Sequence, residues 1–354
     1  MHLPSIKPML GWIACVAVVA ALSASYAQDP MPVPQPSPAA TVKQTVGIAE
    51  IKIVYHRPGV KNRKIWGGLV PYGEIWRAGA NENTIITFSH AVKVEGKDLP
   101  AGTYGLHMIP TEGAWTIIFS KNSTSWGAYF YKESEDALRI PVKPGPAEYH
   151  EWLTYEFSDL TDSSAVVSLL WEKLRVPCSI KMNMHEIVLQ HARTAYLRGG
   201  AGFTWQGFNQ AAAYCLANNV DLAEGLEWAN RSVALNENFT NLRTKAALLE
   251  KLGKTEEAAS PREKSLRIAT EADLNTLGYQ YLNNGKMKEA IEVFEKNVKE
   301  HPDSWNAYDS LAEALEKSGD TKGAIKNYEK ALSLVQDDVN KKRITATLGR
   351  LKGK

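Results

Sequence analysis

Cysteine is scarce in this sequence: Cys15, Cys178 and Cys215 are the three among 354 residues. So few thiols exclude a disulfide framework, and Cys178 and Cys215 read as small buried residues. No Cys-x-x-Cys pair or Asp-rich calcium loop is present, so no structural metal is expected. His185 and His191 do not make a zinc pair, since six residues turn a helix through about 600°, leaving them about 240° apart. A Gly-rich turn between strand and helix is missing, which removes support for a dinucleotide or P-loop site, and no cofactor is expected. The Gly-x-Ser-x-Gly elbow of a hydrolase is missing too. Net charge is small, +2 with 23% charged residues, so no large field points to nucleic acid or an anionic membrane. The basic cluster His56, Arg57, Lys61, Arg63 and Lys64 has only Tyr55 and Trp66 beside it as stacking platforms, which argues against nucleic acid there as well.

Long apolar runs are equally rare. Met9–Leu22 follows Lys7 and precedes the small-x-small triplet Ser25-Tyr26-Ala27, the pattern of a cleaved export signal over residues 1–27. The run is shorter than the roughly 20 residues a spanning helix needs. Trp12-Ile13-Ala14 is a poor lead-in to a lipidated Cys15, so lipoprotein anchoring is not expected. An exported, periplasmic protein with no membrane span in its mature chain is predicted. Residues 28–40 (QDPMPVPQPSPAA) are Pro-rich and read as an extended linker.

Two regions of different hydrophobic period follow. Over residues 41–183, short β-branched and aromatic segments predict strands: Thr41–Val46, Glu50–Tyr55, Thr84–Ser89, Thr103–Met108, Trp115–Phe119, Leu138–Val142, Trp152–Phe157, Ala165–Trp171 and Leu174–Ile180. Glu95-Gly96, Pro100-Ala101-Gly102, Glu112-Gly113 and Thr161-Asp162 punctuate them. Such spacing implies an all-β antiparallel sandwich or jelly roll. After a connecting helix and loop at 184–204, the period becomes helical through 337, with a capping helix and tail at 338–354. Tyr308, Leu311, Ala312, Leu315, Gly319, Ala324, Tyr328 and Leu332 echo Leu274, Leu277, Gly278, Tyr281, Gly285, Ala290, Phe294 and Val298 at an offset of 34 residues. In spacing and signature residues this resembles the tetratricopeptide repeat, implying an all-α solenoid. Asn297 departs from the pattern where the later unit has Ala331. Upstream, Leu242, Ala246, Leu249, Gly253 and Ala258 keep it, but Pro261 predicts a break in the second helix. Phe208–Leu235 reads as a degenerate unit with Trp228 in the aromatic role.

Between the second and third expected strands lies a segment too rich in side-chain chemistry for a plain connection. It reads His56-Arg57-Pro58-Gly59-Val60, then Lys64-Ile65-Trp66-Gly67-Gly68-Leu69-Val70-Pro71, then Trp76-Arg77-Ala78-Gly79-Ala80-Asn81-Glu82. With Leu99-Pro100-Ala101-Gly102-Thr103-Tyr104, Trp126-Gly127-Ala128 and Glu151-Trp152, it resembles the signature of DUF2911, a bacterial domain family of unknown function. That resemblance implies a fold and a compartment and brings no reaction with it.

A loop of this length inside a compact domain is functional or packed as an Ω-loop. Arg57, Lys64 and Arg77 supply charge for an anionic group. Trp76 and Trp126 supply stacking faces, and Asn81 and Glu82 reach hydroxyls or amines. His56 and His107 can titrate near neutrality. These residues form the candidate site for a polar or anionic small ligand or a glycan. An enzyme acting on an envelope or glycan substrate would instead use Glu82, His56 or His107 as acid or base, with Arg77 as carboxylate or oxyanion holder. A structural role would pair Arg77 with Glu82 and leave function to the repeats. In the repeats, the resemblance places partner-binding positions at Asn275, Tyr279, Asn306, Asp309 and Glu313, facing a groove for a protein or peptide. The sequence favours a non-enzymatic binding or scaffold protein.

Overall fold

The computed structural model describes residues 33–353; the expected export signal lies outside the described residues. The N-terminal region holds ten strands: β1 Ala39–Val46, β2 Ala49–His56, β3 Ile85–Phe88, β4 Val92–Val94, β5 Lys97–Leu99, β6 Gly102–Ile109, β7 Trp115–Ser120, β8 Asp136–Val142, β9 Gly145–Ser158 and β10 Ser164–Lys181. All pair antiparallel, in a six-stranded sheet ordered β1-β2-β3-β6-β7-β8 and a four-stranded sheet ordered β5-β4-β10-β9. Alternation drives the packing. In β2 the residues Ala49, Ile51, Ile53 and Tyr55 are buried and their neighbours half-exposed. Between the sheets they meet Ile86, Leu106 and Phe119 from one side and Leu153, Leu169 and Val176 from the other.

Three sequence expectations are corrected here. The segments Ala165–Trp171 and Leu174–Ile180 form one strand, β10, whose register against β9 shifts on either side of Glu172. Glu172 has φ of 56°, so the bulge looks like a strand break in sequence while the pairing resumes beyond it. The hairpin β4–β5 was not expected, because three-residue strands carry too little pattern; Glu95 and Gly96 turn it, both at positive φ. Pro261 does not break its helix.

The C-terminal region is helical: α1 Met184–His191, α2 Trp205–Asn218, α3 Leu222–Leu235, α4 Phe239–Lys251, α5 Thr255–Ile268, α6 Glu271–Asn283, α7 Met287–Glu300, α8 Trp305–Ser318, α9 Thr321–Leu334 and α10 Asp338–Leu351. Pro261 sits buried within a continuous α5. A proline there removes one backbone bond, at a cost of about 3 kcal/mol that tertiary burial of its ring offsets. From α2 to α9 the helices pair as hairpins. Small residues set how closely the pairs approach: a side chain at Gly278 would collide with the Phe294 ring, and one at Gly225 would press on Cys215. Cys215 is thus a packing residue, its thiol pushed up to about 11 by burial, and burial also raises Cys178. Asn297, where Ala331 stands in the next unit, is fully buried and donates to the Glu271 carbonyl at 3.3 Å. The first helix of the region joins the two halves, with Ile187 buried in the sandwich core and Leu189 in the core of α2 and α3.

Candidate functional site

The loop from Arg57 to Thr84 is mostly architecture. Val60, Ile65, Val70 and Ala78 are buried in the sandwich core. Backbone bridges tie Gly59 to Trp152 in β9 and Trp76 to Met108 in β6, so the loop closes over both sheets. Arg57 is a strut. Its Nε donates to the Leu153 carbonyl at 2.9 Å and its Nη2 to Thr154 Oγ1 at 2.6 Å. Lys64 is exposed, and Asn81, at φ of 58°, donates to the Ser37 carbonyl at 3.3 Å. Buried Ala78 holds φ of 51°, outside the usual range for a residue with a Cβ. Its carbonyl accepts from the Tyr155 hydroxyl at 2.9 Å and from Thr84 Oγ1 at 3.2 Å, which fixes the turn.

Trp76 does not face a ligand. It stacks on Trp171 with centroids 6.0 Å apart and meets the edge of Trp66 at 5.8 Å, and Trp66 in turn meets Trp115 at 4.8 Å. Its indole N–H donates to the Gly79 carbonyl at 3.1 Å. The alternative ion pair between Arg77 and Glu82 does not form. Glu82 instead lies 3.3 Å from His56 Nε2, and Trp126 pairs with Glu82 through a backbone bridge.

What remains at the surface is sharper than the expected loop. Trp76 and Met108 exchange two backbone hydrogen bonds of 2.8 Å. Strand alternation then turns their neighbours Arg77 and His107 to the opposite, outer face. Arg77 lies over the Trp126 ring at 5.7 Å, and Trp126 lies nearly parallel to Tyr129, at 6° and 5.9 Å. Trp126 is 53% exposed, Tyr129 77% and Phe130 67%, so guanidinium and rings form an open aromatic shelf. Arg77 makes no salt bridge among the described residues, and its Nε is buried without a hydrogen-bond partner.

Beneath the shelf is a narrow polar chamber lined by Asn83, His107, Ser120, Asn122, Ser125, Gly127, Tyr131 and Glu135. His107 is 3% exposed and its Nδ1 has no partner. The Asn83 amide, turned to match its neighbours, donates to the Gly127 carbonyl at 2.6 Å and the Ser125 carbonyl at 3.2 Å. Tyr131 packs on the His107 ring at 5.5 Å and donates to Asp136 Oδ2 at 2.6 Å. Burial lowers the His107 pKa, with backbone acceptors at Gly105 and Gly127 opposing it, and raises Asp136. Because the unfolded chain binds a proton that folded His107 resists, stability should fall as pH drops below the ordinary histidine value. Urea midpoints measured across that range should slope less in His107→Gln, and an unchanged slope would mean that other groups carry the dependence.

Sequence reasoning missed Asn83, Tyr129, Tyr131 and Asp136. The signal was present in Trp126-Gly127-Ala128-Tyr129-Phe130-Tyr131, an aromatic run lacking strand alternation, which a core does not require.

In the repeats, four of the five expected groove residues are engaged between helices. Tyr279 donates to Glu313 Oε2 at 2.8 Å, Arg343 of α10 to Asp309 Oδ2 at 2.8 Å, and Asn306 to Glu271 Oε1 at 3.4 Å. Asn275 keeps an unpartnered, buried Oδ1. The open part of the groove lies towards α4 and α6, where Thr240, Arg243, Thr244, Asp273, Thr276 and Gln280 border a cavity of about 420 Å³.

Residues 37–180 match the family described as a protein of unknown function, DUF2911, and residues 274–302 and 306–338 match the tetratricopeptide repeat. The chain therefore joins a DUF2911 domain to tetratricopeptide repeats, a domain type used for protein–protein contacts and scaffolding. No curated protein matches it. Among solved structures, it is similar to MamA 41-end from Desulfovibrio magneticus RS-1, at 20% identity over 43% of this chain and 84% of that one, with a TM-score of 0.27. It is also similar to YrrB, a tetratricopeptide repeat protein with an unusual peptide-binding site, at 15% identity over 45% and 81%, with a TM-score of 0.26.

Proposed function

We propose that this is an exported, periplasmic binding protein without catalytic activity, whose sandwich takes an anionic small ligand or glycan on the Arg77 shelf while its repeats hold a protein partner. Export rests on the Lys7, Met9–Leu22 and Ser25-Tyr26-Ala27 pattern. The partner would lie in the open groove at α4 and α6, with Arg243 and Asp273 offering charge of both signs.

The observation that carries the ligand reading is the state of Arg77. A half-buried guanidinium with a buried, unpartnered Nε and no carboxylate beside it is costly unless something else answers the charge. The cation–π contact with Trp126 answers part of it. An anion on the open side would complete it, with the exposed rings of Trp126 and Tyr129 ready to stack on a flat or apolar body.

A thermal-shift screen of the mature chain against sugars, sugar acids and organic anions tests this. A ligand at about 100 times its Kd adds roughly 2.7 kcal/mol. Arg77→Gln is expected to abolish the shift while moving the unliganded stability by no more than about 0.5 kcal/mol. Loss of several kcal/mol in the unliganded variant would instead assign Arg77 to the structure.

A further inference from the structure

Two buried side-chain nitrogens without hydrogen-bond partners, Arg77 Nε and His107 Nδ1, lie on the same outer face of the sheet. Gly127 touches both neighbourhoods. A Cβ there would come within 3.1 Å of Arg77 Nη1, and its own backbone lines the His107 chamber. Gly127 has φ of 68°, a position that suits glycine, so the loop can pass between the two groups without a side chain to separate them. The same loop carries Trp126 and Tyr129 as its exposed rim.

We infer that the ligand of this site is a saccharide bearing a carboxylate, a uronic acid, whose carboxylate enters between Arg77 and His107 as the 125–131 loop lifts, and that binding takes up one proton at His107. This rests on the reading of Arg77 as an anion site.

The chemistry is balanced in charge. Free His107 is neutral, because burial opposes its charged form. A carboxylate beside Nδ1 reverses that preference: the imidazole gains a proton from solvent and donates from Nδ1 to one carboxylate oxygen, while Arg77 donates to the other. The groups facing His107 set the limit on ligand charge. Arg77 is cationic, but Glu135 lines the chamber, and Tyr131 is bonded to Asp136, which Arg139 approaches at 3.6 Å while also pairing with Glu133. Glu82 stands by Trp126, already facing His56. Among so many carboxylates a monoanion is favoured over a doubly charged phosphate. The sugar ring would then project from its carboxylate onto the Trp126–Tyr129 shelf, where its C–H face meets the aromatic faces.

The test is isothermal titration of the mature chain with trigalacturonate at pH 7.5, in phosphate and in Tris, whose ionisation heats differ. Maltotriose serves as the neutral control. The expected result is a buffer-dependent heat equivalent to one proton taken up, an affinity that weakens about tenfold for each pH unit above the histidine range, and at least a tenfold preference over maltotriose. His107→Gln should keep weakened binding and lose the buffer dependence. The native protein decides the matter even if that variant does not fold. Binding of trigalacturonate with no proton uptake, or equal affinity for maltotriose, overturns this inference and leaves the Arg77 shelf as a general anion site. No binding of trigalacturonate overturns it outright, a chamber filled only by ordered water being the outcome then. If the sugar acids and organic anions of the screen also fail, the anion reading of Arg77 falls too.

Discussion

Trp171→Ala is expected to remove about 3–5 kcal/mol from the stability of the sandwich, the largest effect of any single truncation in that half of the molecule. Trp171 is 1% exposed and sits at the centre of a cluster that includes Trp66 at 5.7 Å and Trp76 at 6.0 Å. Truncation would leave both rings facing a void that the bridge between Trp76 and Met108 keeps from collapsing. One term runs the other way. The Trp171 Nε1 is buried with no acceptor, so deleting it recovers about 1–3 kcal/mol of unmet desolvation. A burial of this size exceeds that recovery, since an aromatic side chain covers 150–250 Å², or about 4–6 kcal/mol at 25 cal/mol per Å². Urea unfolding followed by circular dichroism should show the midpoint falling by about 1–3 M for a slope near 1–3 kcal/mol/M. Trp171→Phe should fall between the two. A loss under about 1 kcal/mol would mean the cluster repacks freely, and the loop would then not be anchored by it.

Gly278→Ala tests the repeats, and there the sign is the informative part. In an exposed helix the change stabilises by about 1 kcal/mol, because alanine has the better intrinsic propensity. At Gly278 the added carbon collides with the ring of Phe294, which is fully buried. Phe294 is further fixed by Tyr279, edge-on at 5.2 Å, whose hydroxyl bonds to Glu313 of α8. Relief therefore requires α6 and α7 to separate, and overpacking of this kind costs about 1–3 kcal/mol. Destabilisation should win. Phe294→Leu in the same chain should restore part of the loss, giving a coupling of at least about 0.5 kcal/mol in a double-mutant cycle. Strict additivity would show that the two helices are not held at that distance.

Periodicity made most of the fold legible. Alternation located the main strands, and the 34-residue echo located the last two helical pairs, because burial on one face imposes each pattern. Glu172 hid the continuity of β10, and the three-residue strands β4 and β5 are shorter than the window in which alternation is visible. Pro261 shows tertiary burial overriding a local rule. The site was less legible for a different reason. Sequence identifies which side chains carry charge or rings, whereas their role depends on what faces them. Arg57 and Arg77 read alike in the motif. One meets the carbonyl and hydroxyl of β9 and is spent on structure; the other meets a tryptophan face and stays unpaired. Trp76 and Trp126 divide in the same way, inward and outward.

Ile187 and Leu189 stand two residues apart on α1, each counted in a different core, and Met184 of the same helix lies so close to Gly47 that no side chain fits there. Any attempt to dissect the protein meets this helix. A terminus placed before it takes Met184 and Ile187 from the sandwich, and one placed after it takes Leu189 from the helices. A fragment that is to behave as it does in the whole chain has to carry α1 with it, and a protease able to open that helix would expose apolar surface on both fragments at once.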